Sequence, residues 1–300
     1  MKLNAFLLLL IGLLSLQSCG GDQTDSIAQL EAKVEENPTP EDADALIAMY
    51  REYIDSHPND AEQNSKYLYR AAGLMFRLNR HNDASNLLKE AIKDYYKASQ
   101  TANNAYLLAT IQEEKLNNPV LATSVYQALD KAFPSFEEAA AVKAKLPADL
   151  PSIQTRIDTL AKGIFDLTTG RVNRRTANNF IESCDLYSLI VPEDPASPKL
   201  LHKAGEAARA TRAFNSALDI YDRLYERYPD FEKAPQALFL MAFTLDNDLQ
   251  RHDEAKVLYE RFLEKYPDDD FADDTQFLLQ NLGKTDEEII QSFESQDASQ

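Results

Sequence analysis

Apolar positions in this chain recur at helical spacing, and the helical stretches themselves repeat. Ala84, Ala122, Ala217 and Ala255 each follow another alanine, Ala71, Ala109, Ala204 or Ala242, by thirteen residues. Four residues after each later alanine stands a large apolar side chain, Leu88, Tyr126, Tyr221 or Tyr259, and eight further on comes Pro134, Pro229 or Pro267, with Tyr96 once in place of proline. Leu88 and Tyr126 lie 38 residues apart, as do Tyr221 and Tyr259, and Tyr50 with Pro58 opens the series another 38 residues upstream. A helical period of about 20–50 residues predicts a solenoid.

The residue types have physical reasons. Two antiparallel helices of about four turns approach closely only where small side chains meet, with a bulky residue one turn away filling the adjoining hole. Alanine supplies the first and tyrosine the second. Proline lacks an N–H and clashes with the preceding turn, so a proline at fixed distance ends the second helix of each pair. Asp230 and Asp268, just after two of these prolines, are placed to start the next helix.

The segments "ALDIYDRLYERYP" and "AKVLYERFLEKYP" resemble the A-x3-[FY]-x7-P half of the tetratricopeptide repeat. The resemblance runs over roughly residues 40 to 268 and implies an all-α, right-handed superhelical solenoid of antiparallel helix pairs. The chain departs from that family in its longer period and in having no tryptophan. "YPDF…APQALFLMAF" is most similar to the outer-membrane lipoprotein subset of the family, typified by the BamD-type subunit of the β-barrel assembly machinery.

The N-terminus points to the same compartment. Lys2 precedes an apolar run from Ala5 to Leu14, followed by Leu16-Gln17-Ser18-Cys19. The run is shorter than the ~20 residues a membrane-spanning helix needs, and it reads as a processing segment. It resembles a bacterial lipoprotein signal with its lipobox. That resemblance implies cleavage after residue 18, acylation of Cys19 with palmitate-type chains, and, with Gly20 in place of a retaining aspartate, an outer-membrane, periplasm-facing location.

The expected organisation is a signal peptide at 1–18, a lipidated tether and short helix at 19–40, and N-terminal repeats at 41–134. An irregular linker or bend follows at 135–151, where Pro134, Pro147 and Pro151 interrupt the period. C-terminal repeats fill 152–268, with Phe180 and Cys184 in the repeat slots of a divergent fourth unit. Capping helices and a tail occupy 269–300, with Thr285 and Glu288 as a capping box.

Charge and composition narrow the function. The net charge is −18, and −19 once residues 1–18 with Lys2 are removed. That opposes nucleic acid and anionic lipid surfaces as partners. Of the two cysteines, lipidation of Cys19 leaves Cys184 without an intramolecular partner, as a buried small hydrophobe. The four histidines, His57, His81, His202 and His252, are spread over different repeats. No metal ligand set, phosphate-cradling loop or nucleophile elbow stands out, so neither a cofactor nor an enzymatic activity is expected.

Two groups of residues stand as candidate partner contacts. Tyr67, Tyr69, Arg70, Tyr106, His202 and Lys203 lie on first helices, which in tetratricopeptide stacks line the binding groove. Arg171, Arg174 and Arg175 fall at a helix start, where positive charge opposes the helix dipole by about 0.3–1 kcal/mol each. Pairing with the acidic surface would offset that; so would docking of an acidic partner segment. The expected function is a noncatalytic, lipid-anchored scaffold binding envelope proteins or peptides. Outer-membrane protein assembly leads by resemblance, with a cell-wall or division scaffold beside it. A glycan-binding nutrient-uptake lipoprotein of the SusD kind is the alternative from another class.

Overall fold

The computed structural model describes residues 19–284 together with 287, 288 and 291. The processing segment at 1–18 and Thr285 of the expected capping box lie outside the described residues. Fourteen α-helices follow one another among them. The first six are α1 (Cys19–Glu36), α2 (Pro40–Ser56), α3 (Ala61–Arg77), α4 (His81–Asp94), α5 (Thr101–Glu114) and α6 (Pro119–Ala132). Two short helices, α7 (Ala139–Lys145) and α8 (Ile153–Ala161), lead to α9 (Arg174–Ile190). Then come α10 (Ser197–Ala210), α11 (Phe214–Arg227), α12 (Ala234–Phe243) with a π-helical turn at Thr244–Asp248, α13 (His252–Lys265) and α14 (Ala272–Gln280). No described helix is long and apolar enough to cross a membrane.

The repeat slots form the core. All eight repeat alanines are buried, and so are Tyr50, Leu88, Tyr126, Cys184, Tyr221 and Tyr259. Gly205 shows how tight a crossing is, because a Cβ built there would lie 2.4 Å from the Tyr221 ring. The second helices all end alike. His57, Tyr95, Phe133, Val191, Tyr228 and Tyr266 are C-caps with φ between −132° and −122°. Five of the six precede a proline, which disfavours the helical conformation in the residue before it, and Tyr95 takes the same conformation before Tyr96. The turns inside four pairs place Asn79, Asn117, Arg212 and Gln250 at φ of 58°, 49°, 64° and 56°, each five residues before its repeat alanine. A residue in the left-handed region at C′ ends a helix and lets the chain reverse.

The segments between and before the repeats are built as follows, and one helix-start expectation is corrected. Within 19–40, α1 is helical from residue 19 and packs Ile27 and Val34 into the core as the first helix of the pair α1–α2. The 135–151 linker contains α7, whose Val142 is buried against the body of the repeats. Asp230 and Asp268 do not start helices: α12 and α14 begin after Lys233 and Phe271, and it is Asp269 that accepts from the Phe271 N–H at 3.0 Å.

The break in period produces a packed corner. With α7 and α8 too short to continue the stack, the 17-residue α9 packs against α6 and reaches α4. Polar bridges cross this seam: Lys89 to Glu182 at 2.6 Å, Lys93 to Asp219 at 2.6 Å and Lys131 to Asp194 at 2.5 Å. Tyr96, the residue that breaks the proline column, lies under the Arg227 guanidinium with 4.0 Å to the ring centroid. Burial lowers the pKa of this arginine, and its Nη2 donates to the Lys93 carbonyl at 3.4 Å. The exception in the repeat therefore joins the N-terminal half to the C-terminal half.

Candidate partner-binding surfaces

Grooves between successive first helices occur near both ends of the solenoid. In the C-terminal groove, of about 610 Å³, Glu206 and Arg209 on α10 face Gln236 and Leu240 on α12, over Tyr221. Arg209 pairs with Asp248 at 3.1 Å and stacks over Phe243 at 4.7 Å from the ring centroid. His202 Nε2 lies 3.0 Å from Gln236 Oε1 and its Nδ1 lies 3.4 Å from Glu206, so the candidate histidine belongs to this groove. Burial, together with the Glu206 carboxylate, raises the pKa of the Tyr221 phenol, which stays neutral at the base of the groove.

The N-terminal groove, of about 410 Å³, lies between α1 and α3 and includes Arg70. Arg70 pairs with Glu31 at 2.5 Å, and the same carboxylate accepts from the Tyr50 hydroxyl at 2.6 Å. Lys203 is likewise paired, with Asp158 at 2.8 Å. These two candidate cations are thus neutralised by carboxylates of the same chain. The candidate tyrosines are largely packing residues. Tyr67 is buried and stacked on Tyr50 at 4.5 Å between centroids, Tyr106 lies against Phe136, and Tyr69 is half-buried, its phenol raised by burial and by Glu138.

The three arginines behave differently. Arg171, Arg174 and Arg175 are exposed, and among the described residues none pairs with a carboxylate; Arg175 Nη2 instead donates to the Asn117 carbonyl at 2.8 Å. The expected pairing with the acidic surface is not made. Asn173 caps α9 by accepting from the Thr176 N–H at 3.1 Å, so Arg174 and Arg175 occupy the first two positions of the helix and Arg171 lies just before the cap. Beside them a hairpin is closed by the Phe165–Val172 bridge, and Asp166 accepts from the N–H groups of Thr168 and Thr169 at its tip. The tip presents Leu167 at 96% exposure next to the arginines.

One surface was not anticipated from the sequence. Between α4 and the start of α9, and bounded by the α5–α6 turn, lies a cleft of about 600 Å³ that contains Asn82, Asn86, Asn117, Asn118, Asn178 and Asn179. Arg175 lines it too. Its signal was present in the pairs Asn117-Asn118 and Asn178-Asn179, but no period links them, and only the corner brings them together. The sequence candidates therefore divide among separate places: α3, α5, α10 and the α9 start. Among the described residues no group of three or more histidine, cysteine or acidic side chains is arranged to hold a metal.

One comparison with known proteins bears on the C-terminal groove. A tetratricopeptide-repeat family model matches residues 236–269, which run from α12 through α13 and supply one wall of that groove. No curated protein sequence matches the chain. Among solved structures, the TPR2AB-domain:pHSP90-complex of yeast Sti1 is similar at 13% identity and a TM-score of 0.33, over 87% of this chain and 98% of that one. The chain is an all-α solenoid of antiparallel helix pairs that carries a tetratricopeptide repeat at residues 236–269, in an architecture suited to protein interaction.

Proposed function

We propose that this protein is a noncatalytic scaffold, anchored to the outer membrane through lipid on Cys19, that gathers envelope proteins by binding their peptide segments between its first helices. The observation that carries this reading is the α10–α12 groove. It is built on the matched tetratricopeptide repeat, is open to solvent, and offers Glu206, Arg209 and Gln236 over an aromatic base. Such a groove suits an extended or helical peptide lying across repeats. The lipobox-like Leu16-Gln17-Ser18-Cys19 supports the anchor. Several acyl chains, at about 0.8 kcal/mol per buried CH₂, hold a protein on a bilayer durably. The unpaired arginines and Leu167 supply a second contact, basic with an apolar tip, for an acidic segment of a partner.

Outer-membrane protein assembly is the process this reading favours. Crosslinking the lipidated protein in its own cells, followed by purification in mild detergent and mass spectrometry, tests it. Recovery of a β-barrel assembly protein is the expected result, and Cys19→Ser should move the protein out of the membrane fraction. Recovery of a barrel transporter with bound glycan, or of cell-wall enzymes, would contradict the assembly role. Charge reversal at Arg171, Arg174 and Arg175 that leaves every interaction intact would remove the arginine contact.

A further inference from the structure

Apart from Asn117 in the α5–α6 turn, the asparagines of the corner cleft divide into two kinds. Those at its base bridge helices: Asn118 Nδ2 donates to Asn179 Oδ1 at 2.9 Å, and close by Gln112 Nε2 donates to Ser85 Oγ at 2.8 Å. Those on its walls do not. Asn82 and Asn86 on α4 and Asn178 on α9 are exposed, and their side chains make no hydrogen bond among the described residues. Asparagine inside a helix is less favourable than alanine by up to about 0.7 kcal/mol. Asn86 and Asn178 incur that cost without capping or bridging anything. Sites where local preference is overridden with no structural return are where function is expected.

The chemistry of the walls selects a ligand class. Each amide offers an acceptor and two donors. Amides on facing walls match a group that presents donors and acceptors along both edges, and the main chain of an extended peptide is such a group. Lys89 is already paired with Glu182, so Arg175 is the cation left to meet a carboxylate. A sugar would find no aromatic platform here, because Leu116 is the one apolar residue lining the cleft.

We propose that this cleft is a second binding site, which takes a short extended peptide by its main chain and places an acidic side chain of that peptide on Arg175. The site lies between second helices at the corner, away from the α10–α12 groove; it does not rest on that groove, and it shares Arg175 with the basic contact proposed above.

An array of acetylated, amidated hexapeptides with Asp or Glu at one position tests it, beside the same peptides carrying Asn or Gln and a panel of neutral oligosaccharides. The full lipidated protein in detergent is the probe. The wild-type protein should retain the acidic peptides, and the double variant Asn86→Ala/Asn178→Ala should bind them about tenfold more weakly or worse. Because alanine is the better helix former, that variant should unfold at the same or higher denaturant concentration, so lost binding would not reflect lost structure. Arg175→Ala should abolish the preference for acidic over amide peptides. Equal binding by the double variant, retention of oligosaccharides in place of peptides, or no retained peptide would each overturn the proposal. Failure of the groove reading would appear elsewhere, as lost partner contact at α10–α12 with peptide retention unchanged.

Discussion

Gly73 and Gly205 are both interior helix glycines, and their surroundings give the same substitution opposite signs. Nothing lies within 4 Å of a Cβ built on Gly73, so Gly73→Ala should stabilise the protein by the usual helix preference, about 0.5–1 kcal/mol. At Gly205 the new methyl would meet three atoms of the fully buried Tyr221 ring, at 2.4 to 2.8 Å. Overpacking there outweighs the helix preference, and Gly205→Ala should lose about 1–3 kcal/mol in urea denaturation. Ala217→Leu and Ala255→Leu, at crossings where the alanine is fully buried, should lose a similar amount. Cys184 makes a reactivity prediction: burial raises its thiol, so the native protein should resist thiol reagents at neutral pH and react once unfolded. The packing residues were legible in the sequence because a period exposes them. The groove candidates were less so, since spacing gives the helix but not which side chains pair; Arg70 and Lys203 turned out to be ion-paired.

The turns and caps carry the predictions at the scale of elements. A left-handed backbone costs an ordinary residue about 1–2 kcal/mol, while glycine adopts it freely and asparagine tolerates it. Arg212→Gly, at φ 64°, should therefore gain about 1 kcal/mol, and Asn79→Gly, at φ 58°, distinctly less. Thermal denaturation of the two variants side by side checks the order. The α9–α10 connection adds a pH effect. Burial pushes the Asp194 carboxyl upward, but hydrogen bonds from the Ala196 N–H, Lys131 and Tyr187 outweigh it and hold the group below the ordinary carboxylate value. A carboxyl depressed in the fold stabilises above its unfolded value and loses that stabilisation as pH falls through the folded one. Asp194→Asn should cost stability at pH 7 and make the decline below about pH 4 shallower. Asn79 and Asn117 advertise their turns, whereas Arg212 and Gln250 give no sign of a left-handed conformation. The helical start at residue 19 was also hidden, because the glycines and polar residues of "CGGDQTD" favour a loop locally.

For the whole molecule, the corner decides whether the two runs of repeats act as one body. Arg227 on Tyr96 and three lysine–carboxylate pairs tie α4 and α6 to α9, α11 and the loop before α10, and the buried core runs without a break from Ile27 to Met241. A double-mutant cycle of Tyr96→Ala and Arg227→Ala should show coupling of about 0.5–2 kcal/mol. Hydrogen exchange should rise along α4 and α11 in either variant and stay unchanged in α13. The interruption of the period was readable from Pro134, Pro147 and Pro151; the packing of α9 across two earlier second helices was not, because it depends on residues far apart in sequence. The same holds for the asparagine cleft, which exists only once the corner is formed. The proposed scaffold function places a partner between α10 and α12, the latter in the matched repeat. Placing a photo-crosslinking amino acid at Gln236 in the α10–α12 groove, and separately at Lys256 on the exposed side of α13, tests it directly in living cells. A discrete protein adduct is expected from Gln236 and none from Lys256; the same adduct from both positions, or none from either, would rule out partner binding in this groove.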